Sequence, residues 1–180
     1  RLAYQHGQIN PVALLAHLFD RIDQLNPRLN IMAQLDRDRA LQAAHESAAR
    51  YHADAHRPLE GVPIAVSSSI AVSGLDQWAG MEARRGLVAR EDAALVETLR
   101  NAGAIILGTL NMDEAGLGID GNNPWTGRTY NPHGESHSPG GASGGCGAAV
   151  ASGFCLAAIG GDALGGLRVP ASLCGVYGLR

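Results

Sequence analysis

Residue types capable of chemistry concentrate in residues 138–171 of this 180-residue chain. Two glycine clusters, at 140–145 and 160–166, bracket an apolar run over 148–159. Glycine loses the most backbone freedom on folding, so a cluster marks backbone that must turn with positive φ or approach something closely. Two readings stay open: tight turns flanking a buried helix and strand, or a site walled by backbone amides. Within the first cluster, Gly141-Ala142-Ser143-Gly144-Gly145 fits G-x-S-x-G, with Ser143 in the nucleophile's place. That pattern needs a strand running straight into it, and residues 133–139 have no strand character. Residues 116–121 fit G-x-G-x-x-G, but no strand ends directly before them. Asn122-Asn123-Pro124 follows where a dinucleotide site needs a helix, so no such cofactor is expected.

The remaining reactive side chains are scattered. His52 and His56 stand four apart, a spacing that could share a metal, yet nothing nearby supplies the further ligands of a closed site. No metal is expected. His133 and His137 could serve as ligands or acid–base groups, although their surroundings read as a surface loop rich in glycine, serine and proline. Cys146, Cys155 and Cys174 lie among small or apolar residues and form no C-x-x-C pair. An odd count favours buried thiols in a reducing compartment, hence a cytoplasmic location. A net charge of −3 with no basic face excludes a nucleic-acid partner, and aromatic content of 4% leaves no base-stacking platform. No apolar run reaches membrane-spanning length.

Elements able to position these residues can be read from periodicity. Asn10-Pro11 is an N-cap with proline at the first helical position. Leu14, Leu15, Leu18, Phe19, Ile22 and Leu25 then recur at helical spacing, until Asn26-Pro27 is expected to stop the run. A short strand over 29–32 and a second helix over 37–51 follow, with Ala40, Leu41, Ala44 and Ala48 inside. Residues 63–66 read as a buried strand that delivers Ser67-Ser68-Ser69 to its C-terminal end, where ligands bind in α/β sheets. A helix over 91–102, with Ala93, Leu95, Val96 and Leu99 inside, is capped by Gly103 and leads to a strand over 104–107. Small residues over 144–153 predict a tightly packed helix, and 154–159 a buried strand. The fold class is α/β, a mixed sheet flanked by helices on both faces. The chain reads as one domain, with a helical lead-in over 1–56 and a glycine- and serine-rich core over 57–180.

The order of residues across both glycine clusters resembles the amidase signature family. That family carries G-G-S-S-G-G and later G-[ST]-D-[TI]-G-G-S-[IV]-R-x-P-[AS], matched here by residues 140–145 and 160–171. The resemblance implies a Ser-Ser-Lys triad: a nucleophilic serine, a bridging serine on a cis peptide, and a lysine base. The nucleophile's position falls on Gly166 and the bridging serine's on Ala142. The family's G-V-P-[IL]-x-[VI]-K-D maps onto residues 61–68 and puts the lysine's position at Ser67. All three positions are substituted. Asn111-Met112-x-Glu114 and Asn131-Pro132-His133 also resemble family segments that line the approach to the site.

The backbone amides of Ala163, Leu164, Gly165 and Gly166 correspond to the family's oxyanion hole, and backbone donors do not depend on side-chain identity. Leu164 stands where the family has glycine, and its isobutyl group could narrow that hole. Asp162 and Arg168 are expected to make structural hydrogen bonds or an ion pair. The resemblance implies an incomplete amidase-signature core, with further C-terminal chain or another subunit covering the sheet edge, and a small amide as ligand. The function it implies is a degenerate amidase-fold protein, inactive as a Ser-Ser-Lys amidase. The alternative is an amide hydrolase or amidotransferase-type subunit using Ser143, Ser67 or Cys146 as nucleophile.

Overall fold

A computed structural model describes residues 2–180. After a short helix α1 (Leu2–Gln5), helix α2 (Pro11–Leu29) starts as its cap predicts. The Asn10 side chain accepts a hydrogen bond from the Ala13 N–H at 2.9 Å, and Leu15, Leu18, Phe19, Ile22 and Leu29 are buried. The expected stop at Asn26-Pro27 is not observed. Pro27 lies inside the last turn, and the helix ends instead at Asn30, whose left-handed backbone (φ 51, ψ 50) closes it. Asn26 caps from within: its side-chain oxygen accepts the N–H groups of Ile31 and Met32 at 2.8 and 2.7 Å. Strand β1 (Met32–Leu35) therefore begins later than the expected 29–32, and α3 (Arg37–His52) follows.

Strand β2 (Pro63–Ser67) is buried along its whole length, as is β3 (Ile105–Leu110). Between them α4 spans Ala94–Asn101, shorter than the expected 91–102. The cause is long-range: the Asp92 carboxylate accepts the Ser73 N–H at 2.7 Å and pairs with Arg100 at 2.8 Å, holding the residues before the helix extended. Leu95, expected inside, is 43% exposed, and Val96 is the fully buried residue of α4. A small hairpin, β4 (Asn122–Asn123) and β5 (Gly127–Arg128), precedes α5 (Gly144–Ala151), strand β6 (Ala157–Ile159) and α6 (Arg168–Leu173).

The four-stranded sheet has the order β1-β3-β2-β6, with β1 antiparallel to β3 and the other pairs parallel. Alternation along the two central strands splits the core. Ala65, Ile105 and Leu107 face α2, α3 and α5, whereas Ile64, Val66 and Ile106 pack with Val72 and Val96 on the α4 side. Helices thus cover both faces. The strand expected over 154–159 is only three residues long and is not buried, because β6 is an outer strand. Phe154 before it is fully buried, but Leu156 is 62% exposed. Among the described residues no helix is long and apolar enough to cross a membrane.

The β1–β3 pairing depends on Gly108. It sits opposite Leu35 at φ +149, and a Cβ there would overlap the Gln34 carbonyl oxygen and lie 3.0 Å from the Leu35 Cα. Gly108→Ala should cost more than about 3 kcal/mol in denaturant unfolding. Gly86→Ala, at φ +78 with no atom within 4 Å of the added Cβ, should cost only about 1 kcal/mol. Equal effects of the two substitutions would show that space at the strand pair is not limiting.

Candidate active site

β2, β3 and β6 are mutually parallel where they pair, so their C-terminal ends lie on one side of the sheet. There a cleft of about 580 Å³ opens between residues 112–119, 141–143 and 161–166. The two glycine clusters meet backbone to backbone: the Ser143 N–H donates to the Gly166 carbonyl at 2.8 Å, and Ser143 Oγ donates to the Gly161 carbonyl at 3.2 Å. Ala142 and Gly166 therefore lie side by side. A Cβ on Gly166 would stand 3.4 Å from the Ala142 nitrogen and 3.1 Å from the Gly161 oxygen. Gly166 is outside the left-handed region, unlike Gly165 at φ +95. A small side chain at 166 is thus limited by a tight contact and not by backbone strain. The Gly141-Ala142 peptide is cis.

Ser67 ends β2 below this pair and is fully buried. Its hydroxyl donates to Met112 Sδ at 3.1 Å and accepts from Ser69 Oγ at 3.3 Å, and Ser69 is the member of the serine run that lines the cleft. Among the described residues that line the cleft none is basic. All 14 basic side chains are arginine, and the sequence contains no lysine at any position, a fact that a combined Lys and Arg count conceals.

The second cluster is organised by Asp162. Its carboxylate accepts the Gly165 N–H at 2.8 Å, the Arg168 N–H at 3.1 Å, and a two-pronged contact from the Arg168 guanidinium at 2.8 and 3.1 Å. Arg168 holds the Asp162 carboxyl well below the usual carboxylate range, helped by the two backbone N–H groups. This arrangement alters the expected set of four amide donors, because the Gly165 N–H is already engaged. Those of Ala163, Leu164 and Gly166 have no acceptor among the described residues. Leu164 is one of the residues that line the cleft, and its side chain is 99% exposed.

The alternative nucleophiles lack a base. Ser143 is buried, its hydroxyl bonded to a backbone carbonyl, with no histidine or carboxylate among its hydrogen-bond partners. Cys146 is also buried, and desolvation pushes its thiol far above the ordinary range. Burial likewise raises Cys155 to about 12 and Cys174 to about 11. The histidines stay apart from the cleft. His133 Nε2 lies 2.9 Å from the Cys174 carbonyl oxygen, His137 contacts Ser136, and His56 stacks on Tyr51 beside exposed His52. Among the described residues no group of three or more His, Cys, Asp or Glu could hold a metal ion.

Several polar anchors were not legible as such. Asn123 Nδ2 donates to the Gly80 and Met112 carbonyls, both at 2.9 Å, and Asn131 Nδ2 joins the Ser138 and Leu173 carbonyls. Both asparagines are buried within glycine- and proline-rich loops, and that setting is the only local sign of their role. Asp113, also buried, looks in sequence like any loop acid.

The strands that pair in parallel deliver two interlocked glycine clusters to one cleft. Residues 13–180 match the Amidase family, and the chain belongs to it. It is 38% identical over 176 residues to the glutamyl-tRNA(Gln) amidotransferase A-subunit of Psychrobacter sp. (strain PRwf-1), covering 98% of this chain and 35% of that protein. The corresponding protein of Koribacter versatilis (strain Ellin345) is 38% identical over 180 residues, covering 99% and 38%. Among solved structures, the peptide amidase of Stenotrophomonas maltophilia superposes with a TM-score of 0.90 at 32% identity, covering 96% of this chain and 37% of that one. A chain from a vestigial protein complex, used to trace the origins of an s-triazine catabolic enzyme, gives 0.93 at 35% identity, covering 96% and 38%. The chain thus spans little more than a third of the length of these relatives.

The burial of the thiols sets a direct expectation. In native protein Cys146, Cys155 and Cys174 should react with a thiol reagent at least about a hundredfold more slowly than in denaturant, because the thiolate fraction falls tenfold per unit of pKa. Fast labelling of Cys146 in native protein, located by peptide mass spectrometry, would contradict the burial argument and restore that thiol as a nucleophile.

Proposed function

We propose that this is an amidase-fold protein that has lost Ser-Ser-Lys catalysis and keeps its cleft as a binding site for a small amide. The observation that carries the reading is the adjacency of Ala142 and Gly166 in an intact frame where neither bears a reactive side chain. Acyl transfer in that mechanism needs a hydroxyl to attack the carbonyl, a second hydroxyl to relay its proton, and an amine to take it. Glycine offers no hydroxyl, alanine relays no proton, and the hydroxyl of Ser67 is not a base near neutral pH. No lysine elsewhere in the sequence can substitute. Loss of a nucleophile alone costs several powers of ten in rate and leaves only what binding and oxyanion stabilisation supply.

Binding chemistry survives that loss. The unengaged N–H groups of Ala163, Leu164 and Gly166 are suited to a carbonyl oxygen, and the cleft walls are mostly apolar. We further infer that additional chain or another subunit covers the β6 side of the sheet, where Leu156, Tyr177 and Leu179 are exposed. The three buried free thiols fit a reducing, cytoplasmic location.

The test is restoration. In a fusion of this chain to the C-terminal remainder of a related amidase, Ser67→Lys, Ala142→Ser and Gly166→Ser together should yield hydrolysis of primary amides or anilides. They should also yield fluorophosphonate labelling at position 166. The unsubstituted fusion should show neither. Each single replacement should do almost nothing, because such groups act as a unit. Leu164→Gly is added in a parallel variant, since Leu164 lines the cleft and could obstruct it. Turnover by the unsubstituted fusion with labelling at Ser143 would instead establish an amide hydrolase with a different nucleophile. A folded triple variant that neither turns over nor labels, with or without Leu164→Gly, would sink the degenerate-amidase reading.

A further inference from the structure

Asp113 is a buried carboxylic acid next to the cleft. It follows β3, is 1% exposed, and neither carboxyl oxygen has a hydrogen-bond partner of ordinary geometry. The group occupies a slot between two glycines. A Cβ on Gly118 or on Gly141 would overlap Asp113 Oδ2. The Asp113 backbone is tied to both sides of that slot. Its N–H donates to the Ala142 carbonyl at 3.0 Å, and its carbonyl accepts the Gly116 N–H at 3.1 Å. The carboxyl therefore fills the space between the 116–121 segment and Gly141-Ala142, two adjoining parts of the cleft wall.

We propose that Asp113 is a pH-sensitive latch: neutral, it packs the 116–121 segment against Gly141-Ala142, and ionised, it releases that wall of the cleft. A buried carboxyl group that loses its hydration and gains only poorly aligned backbone N–H groups in return is disfavoured in its charged form. Burial accordingly pushes the Asp113 carboxyl up to about 6. The backbone N–H groups of Gly121 and Asp120 offset part of the rise, and the Asp120 charge adds to it.

Among the described residues no cation answers the charge: in the neighbouring 78–85 segment Arg84 donates to the Gln77 carbonyl and Arg85 pairs with Glu82. On its own segment the titratable groups are Glu114, which accepts the Trp125 indole N–H at 2.8 Å, and Asp120, which accepts the Asn122 N–H at 3.2 Å. Residues 139–144 and the serines at 67–69 contribute no titratable side chain. Across the cleft Asp162 and Arg168 are committed to each other.

Water reaches the ionised carboxylate most readily if the 116–121 segment moves outward. Leu117 and Ile119 of that segment are 85% and 81% exposed. Its ties to other segments, from Ser138 Oγ to the Asp120 carbonyl and from the Thr129 N–H to the Gly121 carbonyl, lie at its C-terminal end. The direction follows from the raised pKa. The packed state is fully favoured below the ordinary aspartate value, and its advantage is lost as pH rises through about 6. The inference does not depend on which ligand the cleft takes.

Amide hydrogen exchange, corrected for intrinsic rates, tests it together with carbon-detected titration of the Asp113 carboxyl. Protection of residues 116–121 should fall by about tenfold or more as pH rises from about 4.5 to about 7.5, with the Asp113 midpoint near the same transition. In Asp113→Asn the fall should vanish. A carboxyl midpoint near 4, or a fall that persists in Asp113→Asn, would overturn the latch. If that variant does not fold, the two wild-type profiles decide: coincident midpoints support the latch, and protection unchanged through the carboxyl titration refutes it.

Discussion

The structure depends on two glycine-rich segments approaching closer than any side chain allows. The Ser143 N–H reaches the Gly166 carbonyl at 2.8 Å, and the surrounding glycines permit it. A Cβ on Gly160 would sit 2.7 Å from Ser143 Oγ, one on Gly147 would sit 2.7 Å from the Pro170 carbonyl oxygen, and one on Gly145 would overlap the Asn111 carbonyl. Helix α5 therefore packs on α6, on the end of β3 and on the second cluster largely through backbone. These requirements are steric. They hold whether or not any residue in the cleft is reactive.

Frame and chemistry are thereby separable. At the three triad positions, Ala142 and Gly166 line the cleft and Ser67 is hydrogen-bonded to Met112 and Ser69 of its lining. Of the three, only Gly166 takes part in the close approach, and it does so through its backbone carbonyl. Each is small, so its presence leaves the close approach undisturbed. The Asp162–Arg168 pair acts on the frame as well: it binds the Gly165 amide and fixes the start of α6, independent of any acyl group. A sequence can keep every glycine, this ion pair and Pro170 while losing the side chains that attack an amide.

What was legible in the sequence was local. Asn10-Pro11 announced α2, the apolar run before Ser67 announced β2, and the glycine clusters announced the cleft. What was hidden came from partners distant in the chain. Asp92 shortens α4 because Ser73 and Arg100 claim its carboxylate, and Pro27 is accepted in a helix because Asn26 caps the turn beyond it. The exposure of β6 reflects its place at the end of the strand order, and no apolar pattern encodes that. Leu164 could be placed beside the expected amides from the motif, but its near-complete exposure at the cleft is visible only in the folded turn that Asp162 holds. Asp113 gave no sign of burial, since the glycines that enclose it lie in two different segments.

The brevity of β6 has a bearing on solubility. An outer strand normally exposes a row of unpaired N–H and C=O groups that can recruit a strand from another molecule. Here the row is three residues long, and the glycines at 160 and 161 follow it at once. Such an edge offers too few hydrogen bonds to template a foreign strand by backbone pairing alone. The flanking Leu156, Tyr177 and Leu179 are exposed, so contact at this edge would be made by side chains more than by a backbone ladder.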